Sequence, residues 1–214
     1  MQREVVVVSG VRTAIGKFGG GLKDYPPTEL GAIVVREVLE RAQVAGNEVG
    51  HVVFGNVIAT EPKDFYLARV AALVGGVSKA TPAFTVNRLC GSGLQAIVSA
   101  AQTILVGDAD VAIGGGAENM SRAPYMTAEA RFGARMGDAR LIDMMLGALN
   151  DVPCGADGYH SGERRAEIWH FARTARRPSA GISPPGAPRD LRGALQGADC
   201  RANANPEGAR SRVV

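Results

Sequence analysis

Cysteine, long apolar runs and, past residue 150, lysine are what this 214-residue chain has least of. Cys90, Cys154 and Cys200 are too few and too widely spaced for a disulfide framework or a clustered metal site, so a reactive or buried thiol is the expectation and no metal is expected. The most apolar stretch, residues 94–106, is broken by Gln95, Ser99, Gln102 and Thr103 and reads as short of a bilayer span, which predicts no membrane association. The opening MQREVVVVSG offers four valines between charge and a Ser-Gly turn, too little for a secretory signal, so the cytoplasm is the expected compartment. Residues 151–214 hold ten Arg and no Lys, six of the eleven prolines, and only nine residues of the Val, Ile, Leu, Phe, Met and Trp type. That tail supplies the whole net charge of +3, since residues 1–150 balance ten Arg and four Lys against fourteen acids.

What is present is a core of ordinary proportions, 46% hydrophobic over the whole chain, with the rhythm of an α/β domain. Residues 4–8, EVVVV, form a β-branched run of the kind buried on both faces of a parallel sheet. After a glycine-rich loop, Leu30, Ile33, Val34, Val38 and Leu39 recur at helical spacing, with Pro26 and Pro27 where a helix start tolerates proline. Residues 51–58 read as a strand, 66–75 as a helix, 83–87 as a strand, and 110–116 as a further strand ending in glycines. The alternation implies a parallel sheet with right-handed crossovers.

Between the last two strands, a helix from about Cys90 to Val106 carries no charge at all, with Gly107 as its stop. Leu94, Ile97, Val98, Ala101, Ile104 and Leu105 make one side of it. A helix without a charged face is normally buried all round, here between two sheets, so a second half or a partner chain is expected on its far side. At its start stands NRLCGSGLQA (residues 87–96). A thiol there faces the unpaired N–H groups of the first turn and the positive end of the helix dipole, which favour thiolate over thiol. Gly91 and Gly93 leave room for a substrate beside the backbone. Cys90 is therefore either an acyl-accepting nucleophile or a small buried hydrophobe at a strand-to-helix corner.

Residues 122–150 turn to Met, Ala, Arg and Gly and read as an excursion with short helices rather than core. In the tail only residues 163–177 could form a basic helix. An Arg-rich segment of this kind could meet nucleic acid or an acidic surface, but it has too little apolar surface to offset ordering entropy, so disorder and no nucleic-acid partner are the expectation.

NRLCGSGLQA, GGGAENMSRAPY (residues 114–125) and VVSGVRTAIGKFGG (residues 7–20), with FGNVIATEP (residues 54–62) between them, resemble the thiolases in order and spacing, and within them the acetyl-CoA acetyltransferase and β-ketothiolase branch. The resemblance runs to about Asp151; Asn119 stands where many relatives have Ser. It implies residues 1–121 as one half of a five-layered αβαβα fold, residues 122–150 as the start of the family's loop region, and residues 151–214 as a non-family tail. It also implies Cys90 as the group that takes an acyl unit from a 3-ketoacyl-CoA or acetyl-CoA, with coenzyme A thioesters as substrates and no metal or redox cofactor. Assembly as a homodimer or homotetramer is implied as well.

Two partners that the resemblance implies, a C-terminal His that activates the nucleophile and a second Cys in a CxGGG context, have no counterpart. His51 opens a strand and reads as structural; His160, His170, Cys154 and Cys200 lie in the tail. The alternative reading is thus an inactive, truncated thiolase fragment. Back-translation of DGYHSGERR (residues 157–165) from each codon's second base permits a thiolase-like MGxTAEN motif, so the tail is expected to be an out-of-frame reading that begins just after Asp151. A ketoacyl-synthase relative, which would share the fold, fits the motif wording less well.

Overall fold

The computed structural model describes residues 3–150 and 211–213. Its element order up to residue 116 is the alternation that the hydrophobic pattern predicts: β1 (Val5–Val7), α1 (Pro27–Ala42), β2 (His51–Gly55), α2 (Leu67–Gly75), β3 (Ala83–Val86), α3 (Ser92–Val106) and β4 (Val111–Gly116). Pro26 caps α1 and Pro27 opens it, where a missing N–H costs no helical hydrogen bond. Gly107 closes α3 with φ 89°, the left-handed conformation that lets two amides turn back to the last carbonyls.

The sheet is parallel throughout, and strand alternation sends each side chain to one of two cores. On one face Val52, Phe54 and Ile113 pack with Val35, Val38 and Leu39 of α1 and Leu67, Ala68, Ala71 and Ala72 of α2. On the other, Val53 and Ala112 pack against Ala96, Ala100 and Ile104 of α3. The result is three layers, helix–sheet–helix, with α3 alone on its side.

Three features depart from the sequence reading. With a strand at Ser211–Val213 counted as β7, the strand order is β1-β7-β4-β2-β3, so β1 is an edge strand rather than one buried on both faces, and Val7 is 59% exposed. Its neighbour is β7 (Ser211–Val213), which lies parallel to both β1 and β4 although the sequence places no element there. Second, α3 is not buried all round. Ser92, Ala96, Ala100 and Ile104 are buried at a spacing of four, while Leu94, Ile97, Val98, Leu105 and Val106 remain exposed. The small face lies inward because the backbones touch. A β-carbon at Gly55 would sit 2.5 Å from the Ser92 carbonyl carbon, and one at Gly114 would sit 2.7 Å from the Ile97 Cα. Third, counted from Leu89, the uncharged stretch reaches 18 residues of mean hydropathy 1.5, long and apolar enough by composition to cross a membrane, whereas residues 94–106 alone read as too short. Its inner face is packed on the sheet.

Residues 122–150 contribute no buried residue. They form a small antiparallel pair, β5 (Tyr125–Met126) with β6 (Ile142–Asp143), and the short helix α4 (Met144–Leu149), capped by the Asp143 carboxylate. The expected disorder of the tail, its basic-helix segment and the reading-frame change fall on residues that lie, apart from 211–213, outside the described ones.

Candidate active site

Ligands of open α/β sheets sit beyond the carboxyl ends of the strands, and that is where β3 delivers Cys90. After Val86 the chain makes a tight turn, Asn87–Gly91, before α3 begins at Ser92. The turn is built from side chains as much as backbone. The Leu89 amide donates to Asn87 Oδ1 at 3.0 Å, the Arg88 amide to Ser92 Oγ at 2.8 Å, and the Ser92 hydroxyl to the Leu89 carbonyl at 2.6 Å. Cys90 is exposed, so of its two readings the buried small hydrophobe is not what the structure holds.

Cys90 opens into a cavity of about 340 Å³ whose walls include Gly55, Val57, Gly93, Glu118, Met120 and Leu149. A larger concavity of about 820 Å³ lies between α1 and residues 7–18, sharing Gly116, Ala117, Glu118 and Met120 as a wall but not reaching Cys90. Chemistry favours the smaller one, because it holds the exposed thiol at the carboxyl end of the sheet.

The stretches singled out in the sequence converge here through polar contacts. The Glu118 carboxylate accepts from the Val57 amide at 2.8 Å, the Ile58 amide at 3.1 Å and Asn56 Nδ2 at 3.2 Å, fastening residues 56–58 to the end of β4. Burial, the largest influence, pushes its pKa above the usual glutamate range; the two backbone hydrogen bonds pull it back and Asp64 adds to the rise. Its acceptor oxygens are thus engaged with the protein rather than turned free toward the thiol. Arg122 pairs with Glu61 at 3.3 Å, and the Asn119 amide reaches the carbonyls of Leu22, Lys23 and Tyr25 at 2.8 to 3.2 Å. The Gly19 amide donates to Ser121 Oγ at 2.9 Å, so the glycine-rich loop joins the same rim. Asp64, 1% exposed, receives the Thr60 hydroxyl and two backbone amides on one oxygen, while its other oxygen has no partner.

His51 sits at the opposite, amino end of β2. Its ring meets Phe84 edge-on at 5.6 Å, its Nε2 is buried without a partner, and burial holds its pKa below the ordinary value against the pull of Asp108. It does not line the Cys90 cavity. His160, His170, Cys154 and Cys200 lie outside the described residues, and among the described residues no group of three or more His, Cys, Asp or Glu could hold a metal. Sequence reasoning passed over Ser92 and Glu118. Both stand inside the quoted motifs, but only contacts from distant residues reveal what they hold.

The sequence model of "Thiolase, N-terminal domain" matches residues 5–180, past the Asp151 limit that the motifs suggest. "Beta-ketothiolase BktB" of Cupriavidus necator is 78% identical over 151 residues, which is 71% of this chain and 38% of that protein. The chain thus spans about two fifths of the curated relatives' length. Among solved structures, human mitochondrial 3-ketoacyl-CoA thiolase in complex with CoA aligns at TM-score 0.65 and 42% identity, over 68% of this chain and 37% of that one. The Bacillus anthracis acetyl-CoA acetyltransferase aligns at TM-score 0.70 and 34% identity, over 80% and 43%. With a family match across most of its length and a backbone that follows the same fold, the chain belongs to the thiolase family.

Proposed function

We propose that this chain carries the nucleophile-bearing part of a thiolase-type acyltransferase, which interconverts acetyl-CoA plus acyl-CoA with 3-ketoacyl-CoA plus CoA through an acyl-Cys90 intermediate. The observation that supports it is the exposure of Cys90, in its motif, inside a cavity at the carboxyl ends of the strands. A thioester carbonyl is a soft electrophile. The Cys90 sulfur attacks it, the tetrahedral adduct collapses, the carbon–sulfur bond to CoA breaks, and CoA leaves as a thiolate that takes up a proton. The acyl group then passes to the carbanion of a second CoA thioester, or back to CoA in thiolysis. Bonds form and break only among Cys90, the two CoA thioesters and a base that takes the second thioester's α-proton as its carbanion forms, so the scheme draws on no metal and no redox cofactor.

A second reading is favoured by a specific observation: among the described residues no histidine lines the Cys90 cavity, and the outer face of α3 is open. On that reading this chain alone stops at the acyl-enzyme, lacking the base that would carry catalysis onward. The experiment separates the two. Incubation with radiolabelled acetyl-CoA is expected to place one acetyl group on Cys90, found by peptide mapping, and Cys90→Ala to abolish it. Absence of label on the wild-type chain refutes the first reading. Steady thiolysis of acetoacetyl-CoA by the purified chain refutes the second.

A further inference from the structure

We propose that Ser92 is a positioning residue that holds Cys90 where acyl transfer requires it, an inference that rests on the thiolase reading above. Leu89, the residue before the nucleophile, has φ 47°, the left-handed region that a β-carbon disfavours. Its side chain is 58% exposed, so packing does not keep it there. Hydrogen bonds do: the Gly91 amide donates to the Arg88 carbonyl and the Ser92 amide to the Leu89 carbonyl, each at 3.0 Å, and the Ser92 hydroxyl adds two more across the turn. It accepts from the Arg88 amide at 2.8 Å and donates to the Leu89 carbonyl at 2.6 Å, gripping the backbone just ahead of Cys90.

Ser92 can do this because it is itself fixed. It is 5% exposed, and its backbone lies so close to β2 that a β-carbon at Gly55 would stand 2.7 Å from the Ser92 carbonyl oxygen. The hydroxyl thus transmits the rigidity of the sheet to a turn that would otherwise relax, and with it the direction in which the thiol meets the cavity. Its proton is engaged with Leu89, so it acts through Cys90 rather than on a substrate. Strain held beside a reacting group by the surrounding structure is a recurrent way of fixing geometry.

The test compares Ser92→Ala and Ser92→Thr with the wild-type chain in single-turnover acylation of Cys90 by acetyl-CoA, alongside alkylation of Cys90 by iodoacetamide. Acylation needs an oriented approach, and a 1 Å displacement can cost about 100-fold, whereas a small freely diffusing alkylator makes no such demand. Ser92→Ala is expected to lower the maximal acylation rate at least ~10-fold at an unchanged half-saturating concentration, with alkylation within about 2-fold and Ser92→Thr restoring most of the rate. Acylation of Ser92→Ala at the wild-type rate, equal loss of both reactions, or a chain without a cooperative melt would each overturn the proposal. If the wild-type chain takes no acetyl group, the thiolase reading fails first, and the clamp is decided by hydrogen exchange at the Arg88 amide. Faster exchange in Ser92→Ala, but not in Ser92→Thr, upholds it; equal exchange in all three overturns it.

Discussion

The contact between α3 and β2 is tight enough to give a sharp prediction from two glycines, Gly55 on β2 and Gly93 in the first turn of α3. In Gly55→Ala the new methyl would meet the Ser92 carbonyl carbon at 2.5 Å, its oxygen at 2.7 Å and the Gly93 nitrogen at 2.8 Å. All three are backbone atoms of the first turn of α3, so no side chain can swing aside and the helix itself must move. Overpacking of this kind costs about 1–3 kcal/mol, and the absence of a flexible neighbour argues for the upper half of that range. In Gly93→Ala the added β-carbon meets nothing within 4 Å, at a position in α3 where the backbone has no positive φ. Restricting the unfolded chain there should stabilise by about 0.4–1 kcal/mol. Urea denaturation of the purified chains measures both. With a slope of about 2 kcal/mol per molar, the two midpoints should separate by roughly 1.2–2 M, with Gly55→Ala below the wild type and Gly93→Ala above it. The Gly55 variant should also acylate Cys90 more slowly, because the displaced turn carries the thiol. Equal midpoints, or the reverse order, would refute the claim that direct backbone contact sets the position of α3.

Two further outcomes follow from the site and the tail. Burial raises the Glu118 pKa, so the folded chain holds that proton to higher pH than the unfolded one; the stability it lends is full below the usual glutamate range and is lost as pH rises through the raised value. The stability difference between wild type and Glu118→Gln, measured by denaturation at several pH values, should therefore shrink from acid to neutral pH, and a pH-independent difference would count against burial as the cause. For the tail, a nucleotide read across codons 145–215 should show a continuing thiolase sequence with MGxTAEN in another frame from codon 152; a stop or unrelated sequence in both other frames ends that idea.

Much of the three-layer half was legible because it is written in local pattern. The apolar runs at 51–58 and 83–87 and the spacing of Leu30, Ile33, Val34, Val38 and Leu39 each indicate one element, and short connections leave few ways to join them. The edge position of β1 was not legible. EVVVV reads the same at a sheet's edge as at its centre, and only pairing decides, here with a strand from residues 211–213. At the site, the motif identified Cys90, but neither the strained Leu89 nor the grip of Ser92 has a local signature. A serine after Cys-Gly looks like a small helix-start residue until its two partners are seen.

The orientation of α3 shows where one-dimensional reading fails and what would repair it. The sequence sets Leu94, Ile97, Val98, Ala101, Ile104 and Leu105 on one side, yet of these only Ile104 is fully buried, and it is with Ser92, Ala96 and Ala100 that it meets the sheet. The information lies in the facing strands. Gly55 and Gly114 remove the side chains that would hold a helix away, so the smallest face gains most by approaching, because dispersion and exclusion of water both reward backbone proximity. That leaves the large apolar face outward on a helix with no charge, directly behind the residue that carries the proposed chemistry. A surface of this kind needs a cover, and the resemblance to the thiolases implies one in a second half, of which the chain's two-fifths coverage of its relatives leaves ample room. The same geometry thus links two observations that looked separate: the glycine-lined close approach that positions Cys90, and the open face that makes this chain one side of a larger core.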